Sequence, residues 1–581
     1  MSMVNLKINN MDVQVPAGTT ILEAASSLNL KIPTLCYLKD INAIGACRIC
    51  VVEIKGVKNL AASCVYPVAE GMEISINSER VLKSRKTNLE LVLSTHNRRC
   101  LSCVRSGECE LQELCKDYGI ENETVFAGHN FEEIYDESAK HMVRDNSRCI
   151  VCRRCVAVCS KNQAVSVIGA NERGFKTHIG CAFGAGLGEV ECIGCGQCIN
   201  VCPVGAIYEK DETDKVWAAL HNPTKHVVVQ TAPSIRTALG EEFGMPIGTN
   251  VQGKMAAALR RIGFKHIFDT DVAADFTIME EASEFIERFT AGGTLPLITS
   301  CSPGWVEYCE RFYPEFIPNL SSCKSPQQML GALIKTYYAK QKGIDPKDIY
   351  MVTVMPCTAK KYEVARTEGN AVEGIFDCDV SITTREFARM IKRAGIDFVN
   401  LPEESFDNPF GESSGAGDIF GRSGGVMEAA LRTASEWISG KPLEKLEFEE
   451  IRGIKGIKEA TYKVGDHEVK VAVVAGLANA SQVLEDIKAG KRDYHFIEIM
   501  GCLGGCVNGG GQPIQTARTR AMVDVPGLRA SVLNNQDKVK KLRLSHESPI
   551  VKQVYADYLG EPGKGKAHDI LHTHYTKKER F

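Results

Sequence analysis

Residues 499–513, IMGCLGGCVNGGGQP, place two cysteines, four residues apart, among six glycines. Glycine removes side-chain bulk and leaves backbone N–H groups open, so a large group can lie against such a segment. The apolar run FIEIM that leads into it predicts a strand ending beside the first thiol, Cys502. The sequence therefore indicates a strand followed by a thiol-bearing loop that encloses a bulky group.

Outward from this segment, the chain beyond residue 225 alternates apolar strand-like runs with helical stretches. The runs are HVVVQTAPS, TLPLITSC, IYMVTVMPC, VKVAVVAG and FIEIMGC. This alternation predicts an α/β domain with central parallel strands. Three runs end in a cysteine (Cys301, Cys357 and Cys502), and open α/β sheets bind ligands at the carboxyl ends of their strands. We expect these thiols to lie together at that edge.

Length and composition limit the function classes. The chain has 581 residues, which predicts several domains, and its net charge of -3 gives no basic field for nucleic acid or an acidic membrane surface. No run of 18 apolar residues occurs, and the N-terminus lacks a secretory or twin-arginine signal. We expect a cytoplasmic protein that binds neither nucleic acid nor membrane.

The 24 cysteines are concentrated in C-x2-C groups, which suit metal ligation better than disulfides. Two quartets share the spacing C-x2-C-x2-C-x3-C of two-cluster bacterial ferredoxins, in which each fourth cysteine binds the other [4Fe-4S] cluster. A pair of zinc sites is the alternative, but zinc requires neither the duplication nor the proline after the second quartet. We assign Cys149, Cys152, Cys155 and Cys202 to one cluster, and Cys192, Cys195, Cys198 and Cys159 to the other.

Two further groups precede these quartets. The first is similar to a plant-type [2Fe-2S] module, although its first gap is longer than usual, and a zinc ribbon is the alternative. In the second, the histidine stands one helical turn before a cysteine, which favours a His/Cys3-ligated [4Fe-4S] cluster over a surface histidine. The predicted ligands are Cys36, Cys47, Cys50 and Cys64 in the first group and His96, Cys100, Cys103 and Cys109 in the second.

Three motifs in the large domain together resemble the signature motifs of [FeFe]-hydrogenases. They are TSCSPGW (299–305), MPCTAKKYE (355–363) and the opening segment. The whole chain resembles the long form of that family. The resemblance implies an H-cluster, a [4Fe-4S] cubane joined to a two-iron unit with CO, cyanide and an azadithiolate. It also implies cubane ligation by Cys357, Cys502 and Cys506, with Cys506 as the bridge, and a cyanide donor at Lys360.

The resemblance also places residues around the two-iron unit and along a proton route. The implied pocket residues are Ala232, Pro233, Ser234, Gln327, Met355 and Met500. The implied route combines Glu281 and Glu284, three apart on one helical face, with Arg288 a turn further on and Ser321. A solvated helix face is the alternative for the glutamate pair.

The first motif departs from the family pattern TSCC-P, in which the first cysteine relays protons and the second binds the cubane. Here Cys301 and Ser302 occupy those positions. Either Cys301 becomes the fourth ligand and Ser302 or water relays protons, or Ser302 ligates and Cys301 keeps the relay. A serine hydroxyl is harder to deprotonate than a thiol, so the first reading is favoured.

The expected architecture is multidomain, α+β and α/β. It comprises a β-grasp [2Fe-2S] domain (1–78), a small helical His/Cys cluster domain (79–139), a two-cluster ferredoxin-like domain (140–209), a large α/β H-cluster domain (210–530) and a helical tail (531–581). The resemblance implies reversible H2 oxidation and proton reduction, with electrons carried by four accessory clusters. The rival function is a non-catalytic electron-transfer or cluster-assembly protein, which the glycine-rich segment and Lys360 disfavour.

The resemblance further implies partner proteins. Ferredoxin or flavodoxin would exchange electrons with the chain, and maturation proteins would supply the two-iron unit. No G-x-G-x-x-G follows a strand, so flavin and NAD(P) would bind to separate hydrogenase subunits.

Overall fold

The computed structural model describes residues 2–122, 124–131 and 134–580. The N-terminal sheet has the order β2-β1-β5-β3-β4. Asn9 and Asn10, with φ of 48° and 64°, form the tight turn of the β1–β2 hairpin. Thr20 and Glu23 form a capping box that starts the first helix. The elements are β1 (Met3–Ile8), β2 (Met11–Pro16), α1 (Ile21–Ser27), β3 (Val51–Ile54), β4 (Ala61–Ala62) and β5 (Glu73–Ser75).

The next region consists of two helices, α2 (Glu79–Ser94) and α3 (Glu110–Asp117), with a loop between them. His96 lies beyond the end of α2, and Cys100 begins a separate short 3-10 turn. The prediction that His96 stands one helical turn before Cys100 is therefore wrong, because a loop sets their spacing.

The cysteine repeat folds as two short helices, each entered through a left-handed residue. Arg153 (φ 60°) precedes the first helix and Gly196 (φ 67°) precedes the second. The elements are β6 (Tyr135–Asp136), β7 (Met142–Asp145), α4 (Arg154–Lys161), β8 (Gly169–Asn171), β9 (His178–Gly180), α5 (Gln197–Val201) and β10 (Ile207–Glu209).

The large domain contains two four-stranded sheets with helices packed against them. The order β12-β11-β14-β15 is entirely parallel, whereas β13-β18-β17-β16 is parallel except for its β16–β17 hairpin. Parallel α/β architecture is thus confirmed. The strands are β11 (His226–Thr231), β12 (His266–Asp269), β13 (Leu297–Ile298), β14 (Ile349–Met355), β15 (Val380–Thr383), β16 (Ile457–Val464), β17 (His467–Ala475) and β18 (Phe496–Met500).

Helices fill the connections between these strands, and a helical segment follows the last one. The helices are α6 (Thr213–Leu220), α7 (Gln252–Ile262), α8 (Thr270–Ala291), α9 (Pro303–Phe312), α10 (Pro326–Leu333), α11 (Ala339–Lys342), α12 (Ala359–Glu363), α13 (Thr384–Arg393), α14 (Gly415–Asp418), α15 (Gly425–Ser439), α16 (Leu477–Lys488), α17 (Ala517–Met522), α18 (Val525–Val539), α19 (Pro549–Val554) and α20 (Gly565–Leu571). None of the helices in the described ranges is long and apolar enough to cross a membrane.

The three cysteine-ending strands do not share one sheet. The strand before Cys357 is β14, in the first sheet, whereas β13 and β18, before Cys301 and Cys502, pair with each other in the second. Each strand ends two or three residues before its cysteine. Thiols that sequence analysis places at one sheet edge therefore meet between the carboxyl ends of two sheets.

Candidate functional site

A cavity of ≈ 80 Å³ lies where these strands end. All four cysteines of the motif segments line it, together with Ser302 and Lys360 and every pocket residue that the resemblance implied. Its wall consists of Ala232, Pro233, Ser234, Thr270, Cys301, Ser302, Pro303, Pro326, Gln327, Met355, Pro356, Cys357, Lys360, Phe420, Gly421, Met500, Gly501, Cys502, Gly505, Cys506 and Gly509. Three separate sequence motifs thus converge on one enclosed, thiol-lined space.

The glycines of residues 499–513 have two different roles. Gly501, Gly505 and Gly509 line the cavity. Close approach of other protein backbone also requires glycine here, since a Cβ on Gly509 would lie 2.2 Å from Pro356 O, and one on Gly510 2.2 Å from Cys195 O. The expectation that the glycines make room for a bound group is therefore incomplete, because several of them allow loops of the chain itself to touch.

Burial dominates the acid–base state of the cavity thiols. It raises the pKa of Cys506 to about 12, and the charge of Cys357 adds to that shift. It raises the pKa of Cys357 and Cys502 as well. Since these thiols hold their protons in the metal-free chain, a metal cluster must displace the protons on binding. Buried thiols that become thiolates only with a cation are suited to an iron–sulfur cluster.

Lys360 belongs to a buried polar group that faces the cavity. Its Nζ donates to Glu363 Oε2 at 2.9 Å and to Cys301 O at 3.3 Å. Glu363 Oε2 also accepts from Gln327 Nε2 at 2.8 Å and from Ser325 Oγ at 2.9 Å. Sequence analysis missed Glu363, although its i+3 spacing from Lys360 within MPCTAKKYE was visible. This carboxylate positions two implied pocket residues at once.

The implied proton-route residues form a connected series. Ser321 Oγ donates to Glu284 Oε2 at 2.8 Å, and Arg288 Nη2 donates to Glu284 Oε1 at 2.6 Å. Glu281 is 1% exposed, and its Oε2 has no hydrogen-bond partner. Burial, then the charge of Glu284, raises the pKa of Glu281 to about 8, while a hydrogen bond from Ser321 opposes the shift. Glu281 is therefore a buried carboxyl, unlike a solvated helix-face glutamate.

Cys301 lies between this series and the cavity thiols. Burial raises its pKa, and the charges of Glu281 and then Cys506 add to the shift. Ser302 lines the cavity on the side of Cys502, because its Oγ accepts from Gly501 N at 3.2 Å, in the loop that carries Cys502.

A histidine from the C-terminal segment extends the polar series. His572 Nδ1 lies 2.8 Å from Ser322 Oγ, which in turn donates to Glu284 Oε1 at 3.3 Å. The Nε2 of the same ring lies 2.8 Å from Glu280 Oε2. Sequence analysis missed His572 because nothing local in the C-terminal sequence relates it to residues some 250 positions earlier.

The four thiols of the first accessory group are in contact with one another. Cys50 Sγ and Cys64 Sγ are 3.3 Å apart, and Cys36 contacts both Cys47 and Cys64. Within the described part of the chain, no three His, Cys, Asp or Glu side chains converge tightly enough to hold a single metal ion. Clusters do not need that convergence, because their cysteines bind different irons around a common core. Four thiols gathered in one place fit a [2Fe-2S] cluster, in which each iron takes two protein sulfurs.

The second accessory group has an unpartnered histidine nitrogen. His96 Nδ1 is buried and has no hydrogen-bond partner. Burial lowers the pKa of His96 to about 4, so the ring is neutral and free to ligate metal.

The two quartets meet in the crossed arrangement that their spacing suggests. Burial raises the pKa of Cys155, and the charges of Cys152, Cys149 and Cys202 add to the shift in that order. Burial also raises the pKa of Cys198, and the charges of Cys192 and then Cys159 add to the shift. The fourth cysteine of each run therefore lies near the first three of the other run.

Protein-family models and known relatives match the segments that carry these groups. NADP-reducing hydrogenase subunit HndD of Solidesulfovibrio fructosivorans is 48% identical over 592 residues, and the match covers 100% of both chains. The chain belongs to the [FeFe]-hydrogenase family. Five family models match: 2Fe-2S iron-sulfur cluster binding domain (1–79), NADH-ubiquinone oxidoreductase-G iron-sulfur binding region (85–124), 4Fe-4S dicluster domain (148–206), iron only hydrogenase large subunit, C-terminal domain (225–510), and iron hydrogenase small subunit (524–578).

Other similarities agree with this membership. Iron hydrogenase 1 of Clostridium pasteurianum is 42% identical, covering 99% of this chain and 100% of its own. A solved variant of [FeFe]-hydrogenase HydA1 from Chlamydomonas reinhardtii is 42% identical with a TM-score of 0.57, covering 63% of this chain and 99% of that one. Cytosolic Fe-S cluster assembly factor narfl of Xenopus tropicalis is 30% identical over 67% of this chain. This [FeFe]-hydrogenase is an oxidoreductase that acts on H2 and has iron–sulfur cofactors, and its mixed α/β multidomain architecture is confirmed.

Proposed function

We propose that this [FeFe]-hydrogenase interconverts H2 with two protons and two electrons at an H-cluster held in the thiol-lined cavity. The observation that carries the proposal is the convergence of three motifs, with buried thiols, Lys360 and glycine backbone, on a single enclosed space. When bound, the two-iron unit supplies the heterolytic cleavage of hydrogen. Cys357, Cys502 and Cys506 would hold the cubane, and Cys506 would also bind the two-iron unit.

The surrounding side chains provide donors and exclude water. Lys360 is 8% exposed, so its ammonium donates to a cyanide nitrogen in a low-dielectric setting. Ser234 Oγ is buried without a hydrogen-bond partner and lines the cavity, so it supplies a second donor. Met355 and Met500 are each 2% exposed and close the apolar part of the wall.

For the first motif, the contacts support Cys301 as proton relay and Ser302 at the cubane, contrary to the reading favoured from the sequence. Cys301 lies close enough to Glu281 for the carboxylate to influence its pKa. Ser302 Oγ receives the N–H of Gly501 at 3.2 Å, and a donated hydrogen bond stabilises an alkoxide. Protons then pass between Cys301, Glu281, Ser321 and Glu284, and Arg288 orients the last carboxylate.

Replacing Cys301 by alanine tests this assignment. If Cys301 is the relay, the variant keeps its catalytic cubane and loses hydrogen turnover by about 10²-fold or more. Iron analysis and the cubane's electron paramagnetic resonance signal measure whether the cubane is retained, and dye-linked hydrogen turnover measures the loss of activity. Loss of the cubane would return the ligand role to Cys301.

The electron side uses four accessory clusters, one [2Fe-2S] and three [4Fe-4S], with the ligands named from the sequence. The 3.3 Å separation of the Cys50 and Cys64 sulfurs and the open Nδ1 of His96 support the first two sites. Electrons are exchanged with ferredoxin or flavodoxin, or with flavin- and NAD(P)-binding subunits in the cytoplasm. The 48% identity to a subunit of an NADP-reducing hydrogenase favours a multisubunit assembly.

Infrared spectroscopy tests the proposed function directly. Protein matured anaerobically with its two-iron unit should show CO and cyanide bands and reduce a dye with hydrogen. A chain that carries its iron but lacks both bands and turnover would be an electron-transfer or assembly protein instead.

A further inference from the structure

One contact joins the accessory cysteine repeat directly to the catalytic thiols. Gln197 lies between Cys195 and Cys198 of the second quartet, and its Nε2 lies 3.1 Å from Cys502 Sγ and 2.9 Å from Asn508 O. The Gln197 side chain is 5% exposed. Both neighbours accept hydrogen bonds, because one is a carbonyl oxygen and the other becomes a thiolate when metal binds. The amide therefore presents its NH2 group, and each N–H has one acceptor.

The backbone around this contact is held firmly in place. Thr358 Oγ1 donates to Gly194 O at 2.6 Å, and Asn200 Nδ2 donates to Gly509 O at 2.9 Å. A Cβ on Gly196 would lie 3.0 Å from Gly510 Cα. Residues 194–200 thus touch the loops after both Cys357 and Cys506, and the side chain of Gln197 has little freedom to turn away.

We propose that Gln197 is a tuning residue that donates an N–H···S hydrogen bond to the Cys502 thiolate and thereby raises the reduction potential of the catalytic cubane. This inference rests on the proposed ligand role of Cys502. A donor to a ligand sulfur withdraws negative charge and favours the electron-rich reduced cluster. Gln197 also belongs to the loop that carries the accessory ligands Cys195 and Cys198, so a single residue contacts one cluster's ligand from the other cluster's loop.

The test measures the potential of the catalytic cubane in the full chain before the two-iron unit is inserted. The cubane signal is followed by electron paramagnetic resonance during redox titration and identified by its absence from a Cys357→Ser chain. In Gln197→Leu, the equilibrium constant for reducing this cubane should fall about tenfold, which is 59 mV for one electron. Gln197→Glu, which replaces the donor with a negative oxygen at the same size, should lower it further.

Asn200→Leu is the matched control. It removes two side-chain hydrogen bonds across the same interface, to Gly509 O and from Arg385 Nη1, without touching a sulfur. The cubane potential should therefore stay within about threefold in equilibrium constant, under 30 mV by the same conversion. A wild-type potential in both Gln197 variants would overturn the proposal, as would an equal shift in Asn200→Leu. Loss of the cubane irons from both Gln197 variants, with retention in the control, would also overturn it, because Gln197 would then only hold the interface.

Failure of this inference is distinguishable from failure of the proposed function. The potential is measured without the two-iron unit, so it does not depend on hydrogen turnover. A shifted potential in Gln197→Leu together with no turnover in matured wild-type protein would reject the hydrogenase proposal and leave the tuning role standing.

Discussion

The proton side and the electron side of the cavity are built from different chemical groups. On the proton side, Glu281, Ser321 and Glu284 follow one another, and Glu281 keeps an unpaired buried oxygen. On the electron side, the contacts come from an amide, Gln197, and from closely approaching backbone around Gly510. One side offers groups that gain and lose protons, and the other offers fixed donors that do not.

This difference indicates how one site can use separate routes for protons and for electrons. A proton needs titratable or hydroxyl groups within hydrogen-bond reach of each other, whereas an electron needs only short distances between clusters. Neither Glu281 nor Gln197 lines the cavity: Glu281 lies near the wall residue Cys301, whereas Gln197 contacts the wall residue Cys502. Substitutions on the proton side should therefore alter rate and its pH dependence, and substitutions on the electron side should alter stability and cluster potential.

Glu281→Gln should give the largest effect and test the proton side directly. Glutamine preserves the shape and can still bond to Ser321, but it cannot carry a proton. Dye-linked hydrogen turnover should fall by about 10²-fold or more, while iron content and cluster signals remain those of the wild type. Glu287→Gln, an exposed position on the same helix, is the matched control and should retain full turnover. Wild-type turnover in Glu281→Gln would remove this residue from the route.

Gly510→Ala tests the electron side. A Cβ here would lie 2.2 Å from Cys195 O and 2.6 Å from Gly196 Cα, so backbone on both sides must move. Such overpacking should lower the free energy of unfolding by about 1–3 kcal/mol. Under anaerobic conditions this appears as an unfolding midpoint at a lower denaturant concentration. Gly169→Ala, where the added methyl meets no atom within 4 Å, should leave the midpoint unchanged. An unchanged midpoint in Gly510→Ala would mean that the two loops are not tightly joined.

The pH dependence of hydrogen turnover should reveal the ionisation of the buried Glu281 carboxyl. Because burial raises the pKa of Glu281 to about 8, the group is protonated below that pH and ionised above it. Hydrogen production needs the protonated donor, so its rate should fall above pH 8 by up to about tenfold per pH unit. Hydrogen oxidation needs the ionised acceptor, so its rate should rise with pH toward 8. Rate profiles in both directions measure this, and an inflection that persists in Glu281→Gln would assign it to another group.

Sequence analysis predicted most of the local structure and less of the assembly. Apolar runs located the strands β11, β14, β17 and β18, since that signal involves neighbouring residues. His96 was placed in a helix because spacing alone does not reveal that α2 ends at Ser94. Likewise, no local signal showed that the strands before Cys301 and Cys357 belong to different sheets.

The same division applies to the site. Motif spacing identified the thiols and Lys360, and the cavity contains all of them. It did not identify Gln197, Glu363 or His572, because the roles of the first and last depend on contacts between segments hundreds of residues apart. Glu363 could have been identified from the sequence, since it stands within the motif MPCTAKKYE. Local sequence motifs identify the residues that bind the cluster, whereas the residues that orient them are brought together only by tertiary packing.

His572→Gln should give the smallest effect and sharpen the boundary of the proton side. His572 Nδ1 lies 2.8 Å from Ser322 Oγ, and its Nε2 lies 2.8 Å from Glu280 Oε2. Ser322 Oγ in turn donates to Glu284 Oε1, 3.3 Å away, so one hydroxyl joins the imidazole to the proton side. Glutamine can keep both contacts but cannot pass a proton from one end of its side chain to the other. Turnover should fall only about 2- to 10-fold, because Ser321 and Glu281 keep their own contacts.

Dye-linked hydrogen turnover measures this fall, and iron content should stay that of the wild type. His568→Gln is the matched control, because His568 is exposed and stacks on His572 with ring centroids 4.6 Å apart but has no contact with Ser322 among the described bonds. An equal loss in both variants would mean that only the stacking of the two histidine rings matters. A loss confined to His572→Gln would extend the proton side into the C-terminal segment, since both variants remove the ring stack but only His572→Gln replaces the ring that contacts Ser322 and Glu280.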